Sequence, residues 1–435
     1  MNLLTSFDNY KNNIDLSKLF DNLTLNKTID IANNISASGG KLYLVGGCVR
    51  DIFLDKTPCD YDFCITGISS EKFEELYPNA IKQGKSFPVY ILNNCEFALA
   101  RKEIKTGNRH SDFKFYTDSS LSIYDDLKRR DFTINSIAID LLTKEIIDPF
   151  NGINDIKNRV LKVTSTAFSE DPLRVYRAAR FAAQLNFNVD ISTIKAMESM
   201  KKELNNLSAE RVFAEFRKAL ISSNPTNFFN VLKHANCLDI HFKEISDLIG
   251  VEQPLKYHPE GDVYNHTMEV LERASLETND ELIRFGALVH DFGKAATPRE
   301  KWPHHYNHEK LGAPIVKDFC HKLKMPITYL KAGCCACNEH MRAGIYDRLK
   351  PGTKVDLFER VYKNKALSLK GLEIIANSDK NTLKNGSPIY FAEIAEQVIK
   401  NVKFDNKEHT YTPEKIKSIL KEKRIRYLLE LEKQS

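Results

Sequence analysis

Two aspartates with one residue between them carry the first sign of chemistry. Asp60 and Asp62 flank Tyr61 in the strand-like run CDYDFCITG. Carboxylates at i and i+2 of a strand project from one face, with Cα atoms roughly 7 Å apart. Like charges that close repel and favour a cation between them, and a cation whose shell is completed by phosphate oxygens suits Mg2+. A lone D-x-D also fits ordinary surface acids. Gly46-Gly47 adds a second part, between the apolar LYLV and the helix-like CVRDIFL. Glycines at a strand-to-helix turn let the backbone approach a phosphate, and the N–H groups that follow favour an anion. Arg50 would add a bidentate grip on a triphosphate. The stretch from Gly47 to Asp60 has room for one helix and a return strand, which places the turn and the carboxylates at the same end of one sheet.

A third set lies in SEDPLRVYRAARFAAQLNF. Asp171, Arg174 and Arg177 recur every third residue, so on a helix they stack along one face. Val175, Ala178, Ala179 and Ala182 then supply a packed face opposite. A row of one carboxylate and guanidinium groups can hydrogen-bond the Watson–Crick edge of a base, although a plain salt-bridge ladder has the same spacing.

Histidines dominate the second half. His290-Asp291 ends the apolar run IRFGALV, so a buried helix would deliver both side chains to one place. His266 lies upstream in YNHTMEVL; His304, His305 and His308 follow in WPHHYNHEKLG, His340 in NEHMRAGIYDRL and Asp379 in IIANSDKN. Neutral imidazoles mixed with carboxylates favour Mn2+, Co2+ or Ni2+ over Mg2+ alone. Cys334-Cys335-Ala336-Cys337 contains a C-x-x-C, but no second pair stands at zinc-finger spacing, so buried inert thiols are expected there.

The elements that must position these residues follow from the pattern. Residues 1–40 are polar and Asn-rich and read as a helical extension. An α/β head with alternating strand-like runs covers 41–165, a helical neck 166–240, a histidine-bearing helical unit 241–395 and a helical tail 396–435. The expected fold class is therefore α+β: a mixed-sheet head followed by an all-helical body. With 42% hydrophobic and 28% charged residues among 435, the chain has ample material for a core and is too apolar for disorder. No apolar run is long enough to span a membrane. The N-terminus lacks a cationic segment followed by an apolar one, and its Asp8, Asp15 and Asp21 oppose a transit peptide. Nine scattered cysteines, an odd number, read as reduced thiols, so a cytoplasmic protein is expected. A net charge of +5 permits nucleic-acid binding without requiring it; the local basic runs are Lys128-Arg129-Arg130 and KIKSILKEKRIR at 415–426.

LVGGCVRDIFLDKTPCDYDF, DLKRRDFTINSIAID and SEDPLRVYRAARFAAQLNF occur in that order over roughly residues 41–240. Together they resemble the class II polymerase-β-like nucleotidyltransferases, the group of tRNA CCA-adding enzymes and bacterial poly(A) polymerases. FPVYILNNCEFALARKEIKTG and the HD-bearing second half resemble its proteobacterial multifunctional CCA type. The resemblance implies that Asp60 and Asp62 bind Mg2+ as catalytic ligands, that Gly47 and Arg50 hold the triphosphate, and that Arg130 contacts the nucleotide. Asp125 or Asp126 is a candidate third carboxylate. The helix with Asp171, Arg174 and Arg177 becomes an amino-acid template that accepts C and A. The histidine set resembles the HD phosphohydrolase superfamily, which implies His266, His290, Asp291 and Asp379 as metal ligands. His305 and His308 are candidates for phosphate or a second metal, and His340 a weaker one. The implied activity is CCA addition to tRNA from CTP and ATP, with Mg2+, plus a phosphohydrolase using Ni2+, Co2+ or Mn2+. A poly(A) polymerase, a CC- or A-adding enzyme, or a hydrolase with a non-catalytic RNA-binding head are the alternatives. Monomer and homodimer stay open.

Overall fold

The computed structural model describes residues 22–58, 60–84, 88–105, 113–116, 119–256, 258–382, 386–404 and 411–434. The chain forms two compact units, Met1–Leu207 and Ser208–Ser435.

In the first unit, helix α1 (Asn22–Ala37) buries Ile31, Ala32 and Ile35. Strand β1 (Lys41–Val45) follows, then α2 (Gly47–Phe53), β2 (Asp62–Thr66), β3 (Ile81–Gln83), β4 (Val89–Leu92) and β5 (Cys95–Leu99). Helix α3 (Ile123–Lys128), β6 (Ala138–Asp140), β7 (Ile146–Ile147) and α4 (Leu173–Leu185) complete the parts that matter here. The seven strands form one sheet in the order β3-β4-β5-β2-β1-β6-β7. It is mixed, as expected: β2 and β5 are parallel, while β1 runs antiparallel to both β2 and β6. β1 is central, and after Lys41 all its residues are buried, as an apolar strand covered on both faces should be. Val45 pairs with Asp62, so the end of β1 and the start of β2 lie side by side.

Two local expectations need correction. β2 begins at Asp62, and Asp60 sits in an exposed bend before it, so the two aspartates are not successive same-face positions of one strand. Asp171 does not lie on a helix. Pro172 is the N-cap of α4, and Asp171 before it is extended (φ −123°, ψ 109°), the conformation that a following proline imposes. Val175, Ala178, Ala179 and Ala182 are fully buried, as the packed face of α4 requires.

The second unit is helical: α5 (Ala209–Leu220), α6 (Val263–Glu277), α7 (Glu281–Val289), α8 (His308–Lys322), α9 (Ile327–Gly344), α10 (Pro351–Asn364), α11 (Leu369–Lys380), α12 (Ala392–Asn401) and α13 (Pro413–Glu432). Ala287, Ala336, Leu372 and Ile375 join α7, α9 and α11 in one core cluster. The basic run at 415–426 lies on α13, which starts from a Thr412 cap. Arg424 is buried there against Glu359 at 2.9 Å. No disulfide joins the eight described cysteines, and burial raises Cys335 to about 12 and Cys337 well above the usual thiol range. Among the described residues no helix is long and apolar enough to cross a membrane.

Candidate functional site

The chain turns sharply where β1 ends. Gly46 has φ 82°, a region that L side chains rarely adopt, and α2 starts at Gly47. A Cβ at Gly46 would stand 3.0 Å from Nη1 of Arg130 and 3.4 Å from Oδ2 of Asp62. The turn, the strand carboxylate and the arginine thus meet at one point. Burial raises the carboxyl of Asp62; Arg130 opposes the shift, while Glu96 and Asp60 add to it. Glu96 is the register partner of Asp62 on β5 and is exposed. Three acids therefore cluster at one sheet end with a single nearby guanidinium among the named charges, a setting that attracts cations. Glu96 is absent from the sequence reading, because only strand pairing brings it beside Asp62.

Asp126 has a different job. It is buried, and its two oxygens are divided between Arg129 (2.6 and 3.0 Å) and Arg130 (2.9 and 3.0 Å). Burial alone would raise this carboxyl, but the two arginines hold it far below the ordinary range. Asp125 closes a capping box with Ser122 at the start of α3.

A second buried chain of polar groups joins the other arginines. Arg50 donates from Nη1 to Asn135 at 2.8 Å and from Nη2 to Asp51 at 2.8 Å. Asn135 donates to Oδ1 of Asp131 at 3.0 Å, and Arg177 donates from Nε and Nη2 to Oδ2 of Asp131 at 2.9 and 2.6 Å. Phe181 lies beneath all of them: Arg50, Arg177 and Arg180 stand 5.3, 5.4 and 3.9 Å from its ring centre. Arg174 is buried and donates to the carbonyl of Ala167 at 2.7 Å, and Asp171 accepts from the backbone N–H of Leu173 at 2.9 Å. The expected row is thus Arg174 and Arg177 on α4, with Asp171 at the entrance to the helix. Asp131 and Asn135 are the partners that the sequence reading missed; the signal was their place directly after Arg130 in KRRDFTIN.

In the second unit α6 delivers His266, the end of α7 delivers His290 and Asp291, α8 begins with His308, α9 carries His340 and α11 carries Asp379. Gly293 makes this possible, since a Cβ there would lie 1.9 Å from the carbonyl of His308. The ligand atoms of His266, His290 and Asp379 lie within 4.8 Å of one another, as do those of Asp291, His308 and His340. Asp291 spans the two groups. Its Oδ2 is 3.2 Å from His290 and 3.5 Å from His266; its Oδ1 is 3.2 Å from His308 and 3.5 Å from His340. Nε2 of His290 and Oδ1 of Asp291 are sealed from water without a well-formed hydrogen bond, and Oδ2 of Asp291 is met by Lys294 at 2.6 Å. Buried polar atoms of this kind are costly unless an ion or water satisfies them, so these residues fit a metal. Burial would raise Asp291, but the charges of His290 and Lys294 outweigh it and hold the carboxyl well below the usual range. Burial likewise opposes a proton on His266, yet Asp379 and Glu260 overcome it and raise the imidazole to about 9. Glu260 accepts from Nδ1 of His266 at 2.7 Å and so orients the ring.

His340, expected to be the weaker candidate, sits fully inside the cluster, 3.2 Å from His308. His305 does not join it: Nδ1 meets Thr297 at 2.7 Å and Nε2 the carbonyl of Glu252 at 2.8 Å. Lys294, one helical turn after Asp291 and 2.6 Å from its Oδ2, was readable from that spacing but not read.

Residues 42–162 match the family described as Poly A polymerase head domain, 186–249 the probable RNA and SrmB-binding site of polymerase A, and 263–380 the HD domain. The multifunctional CCA protein of Shewanella frigidimarina is 42% identical over 327 residues, covering 74% of this chain and 78% of that protein. This chain belongs to the multifunctional CCA protein family. The Psychromonas ingrahamii member is 42% identical over 308 residues, 69% of this chain and 74% of its own. This family member also shares its fold with solved CCA-adding enzymes. An apo form matches with TM-score 0.63 at 20% identity over 95% of this chain and 96% of that one. The Thermotoga maritima enzyme complexed with tRNA matches with TM-score 0.63 at 19% identity, over 95% and 93%.

Proposed function

We propose that this protein builds and repairs the CCA 3′ end of tRNA from CTP and ATP, releasing pyrophosphate, and that its HD unit hydrolyses phosphoesters. The observation that carries the first activity is the convergence of Gly46, Asp62 and Arg130 at one sheet end. Asp60 and Asp62, with Glu96 as third acid, would hold Mg2+, which lowers the pKa of the attacking 3′-hydroxyl and offsets charge on the pyrophosphate. The turn at Gly47 and the guanidinium of Arg50 receive the triphosphate, and Arg130, fixed by Asp126, faces the nucleotide. Arg177 presents its guanidinium, and Asp171 a carboxylate, to the base edge of C or A. The tRNA would be held chiefly through its backbone and shape.

The HD reading rests on the convergence of the His266, His290, Asp291 and Asp379 side chains around polar atoms sealed from water. His266, His290, Asp291 and Asp379 would hold one divalent ion, with Asp291, His308 and His340 forming a second position. Ni2+, Co2+ or Mn2+ suits these donors and would supply the Lewis acidity that activates water and a phosphate ester. Lys294 neutralises the bridging carboxylate, and Glu260 holds the His266 tautomer. Cyclic 2′,3′-phosphates, 2′-nucleotides and simple phosphomonoesters are the substrates. The five-part division at 40, 165, 240 and 395 assigns the head and neck to nucleotide addition and 241–395 to hydrolysis, in a cytoplasmic enzyme.

The test is incubation with Mg2+, CTP, ATP and tRNA lacking CCA, followed by sequencing of the ends. Addition of CCA and then a stop is expected. A growing A tail would make the protein a poly(A) polymerase, and no addition would leave only the hydrolase.

A further inference from the structure

The cavity over the histidine cluster has an aromatic rim that metal binding does not use. It encloses about 510 Å3 and is lined by Asp291, His308, Asp379, Lys294 and Lys380 together with His304 and Tyr306. His305 is pinned inward by Thr297 and Glu252, and the indole N–H of Trp302 also donates to Thr297 Oγ1 at 3.0 Å. The same loop leaves Tyr306 68% exposed. The rings of His304 and Tyr306 stack at 6.0 Å with 28° between their planes. A loop tied at Trp302 and His305 that holds an exposed stacked aromatic pair, in the lining of a cavity shared with candidate metal ligands and two lysines, suits a ligand with a phosphate at one end and a flat ring at the other.

We infer that Tyr306, backed by His304, is the base-stacking platform of the HD pocket, the residue through which a nucleotide phosphoester is favoured over the phosphomonoester of an arbitrary alcohol. The phosphate lies toward the metal positions and the two lysines; the base covers the free face of Tyr306. Stacking is tolerant of base identity, so a preference for nucleotides over non-nucleotides is expected, with little discrimination among bases. This rests on the hydrolase reading of the same site.

The experiment compares adenosine 2′-monophosphate with glycerol 2-phosphate on the Ni2+-loaded full chain, in wild type, Tyr306→Ala and Tyr306→Phe. Stacking lost on truncation corresponds to a rise in KM for the nucleotide of about 5- to 100-fold. The nucleotide to glycerol phosphate ratio of kcat/KM should fall by that factor in Tyr306→Ala, through KM and not kcat, and recover in Tyr306→Phe. A ratio that stays constant overturns the platform. A separate readout uses the 2′-phosphate of 2-aminopurine riboside, whose fluorescence is quenched by stacking. Quenching in wild type that disappears in Tyr306→Ala supports the platform, and equal quenching in both refutes it. Failure of wild type to hydrolyse either ester would refute the hydrolase reading, while the quenching comparison still decides the platform.

Discussion

The guanidinium of Arg177 and the carboxylate of Asp131 form a two-pronged ion pair at 2.6 and 2.9 Å, across 46 residues of sequence. Asp131 is buried, whereas the Arg177 side chain keeps 34% of its surface exposed. The acid is a fixed anchor, and the arginine stays partly open to solvent.

Asp131→Asn should therefore both destabilise the head and loosen Arg177. Burial would raise the carboxyl of Asp131, but Arg177 and the Asn135 amide bring it down to about 2. A folded-state pKa below the unfolded value contributes stability that is full above the unfolded value and fades as pH falls through the folded one. The contribution is about 2 kcal/mol. Urea unfolding should show that deficit in Asp131→Asn near neutral pH, with the gap to wild type narrowing between about pH 4 and pH 2. A gap independent of pH would contradict the ion-pair account. Misincorporation of UMP or GMP should rise in the same variant.

The two candidate centres should separate genetically. Asp60→Ala or Asp62→Ala is expected to abolish CMP and AMP addition, a loss of at least about a thousandfold, with phosphatase activity kept. Asp291→Ala should do the reverse. Loss of both activities in either folded variant would mean that the chemistry is not divided in this way.

Gly46→Ala tests the turn. Its φ of 82° is strained for alanine, and the new methyl would stand 3.0 Å from Arg130. A cost of about 1–2 kcal/mol and weaker binding of CTP and ATP are expected from calorimetry. Unchanged nucleotide affinity would remove the turn from the triphosphate site.

Gly293→Ala probes the second unit. The added Cβ would fall 1.9 Å from the His308 carbonyl, so α8 must retreat. Overpacking of this kind costs about 1–3 kcal/mol, and the displaced His308 should lower metal content.

Metal stoichiometry separates one position from two. In full chain carrying Asp60→Ala and Asp62→Ala, which removes the cation site of the head, loading with Mn2+ and elemental analysis should find two ions, and adding His340→Ala should leave one. A chelator should remove the phosphatase activity, and Ni2+, Co2+ or Mn2+ should restore it. One ion in both proteins would reject the second position.

The linear chain alone determined a good deal. Residue type and short spacing marked Asp60, Asp62, Gly47 and Arg50 as candidates, because a strand-to-helix turn and a returning strand start lie within about one helix length of each other. The α+β class followed from a switch between hydrophobic periods, and the burial of Cys335 and Cys337 on α9, with Cys334 half-buried, from their helical surroundings. His290 and Asp291 were readable as a pair because both stand where a buried apolar helix ends.

What tertiary structure decided is which charges meet across long separations. Glu96 reaches Asp62 only through the parallel β2–β5 register, and Asp131 reaches Arg177 only because α4 packs beside the turn after α3. Asp126 reads like a metal ligand in sequence, but the fold surrounds it with two arginines, and a buried carboxylate goes to the strongest partners within reach. His305 and His340 exchange their expected ranks for the same reason: one side chain is drawn to a loop hydroxyl and a carbonyl, while α9 carries the other into the cluster. Spacing along the chain fixes what neighbours can do together. Packing alone fixes the dielectric and the distant partners, and those set whether an acid binds a metal, an arginine or a backbone N–H.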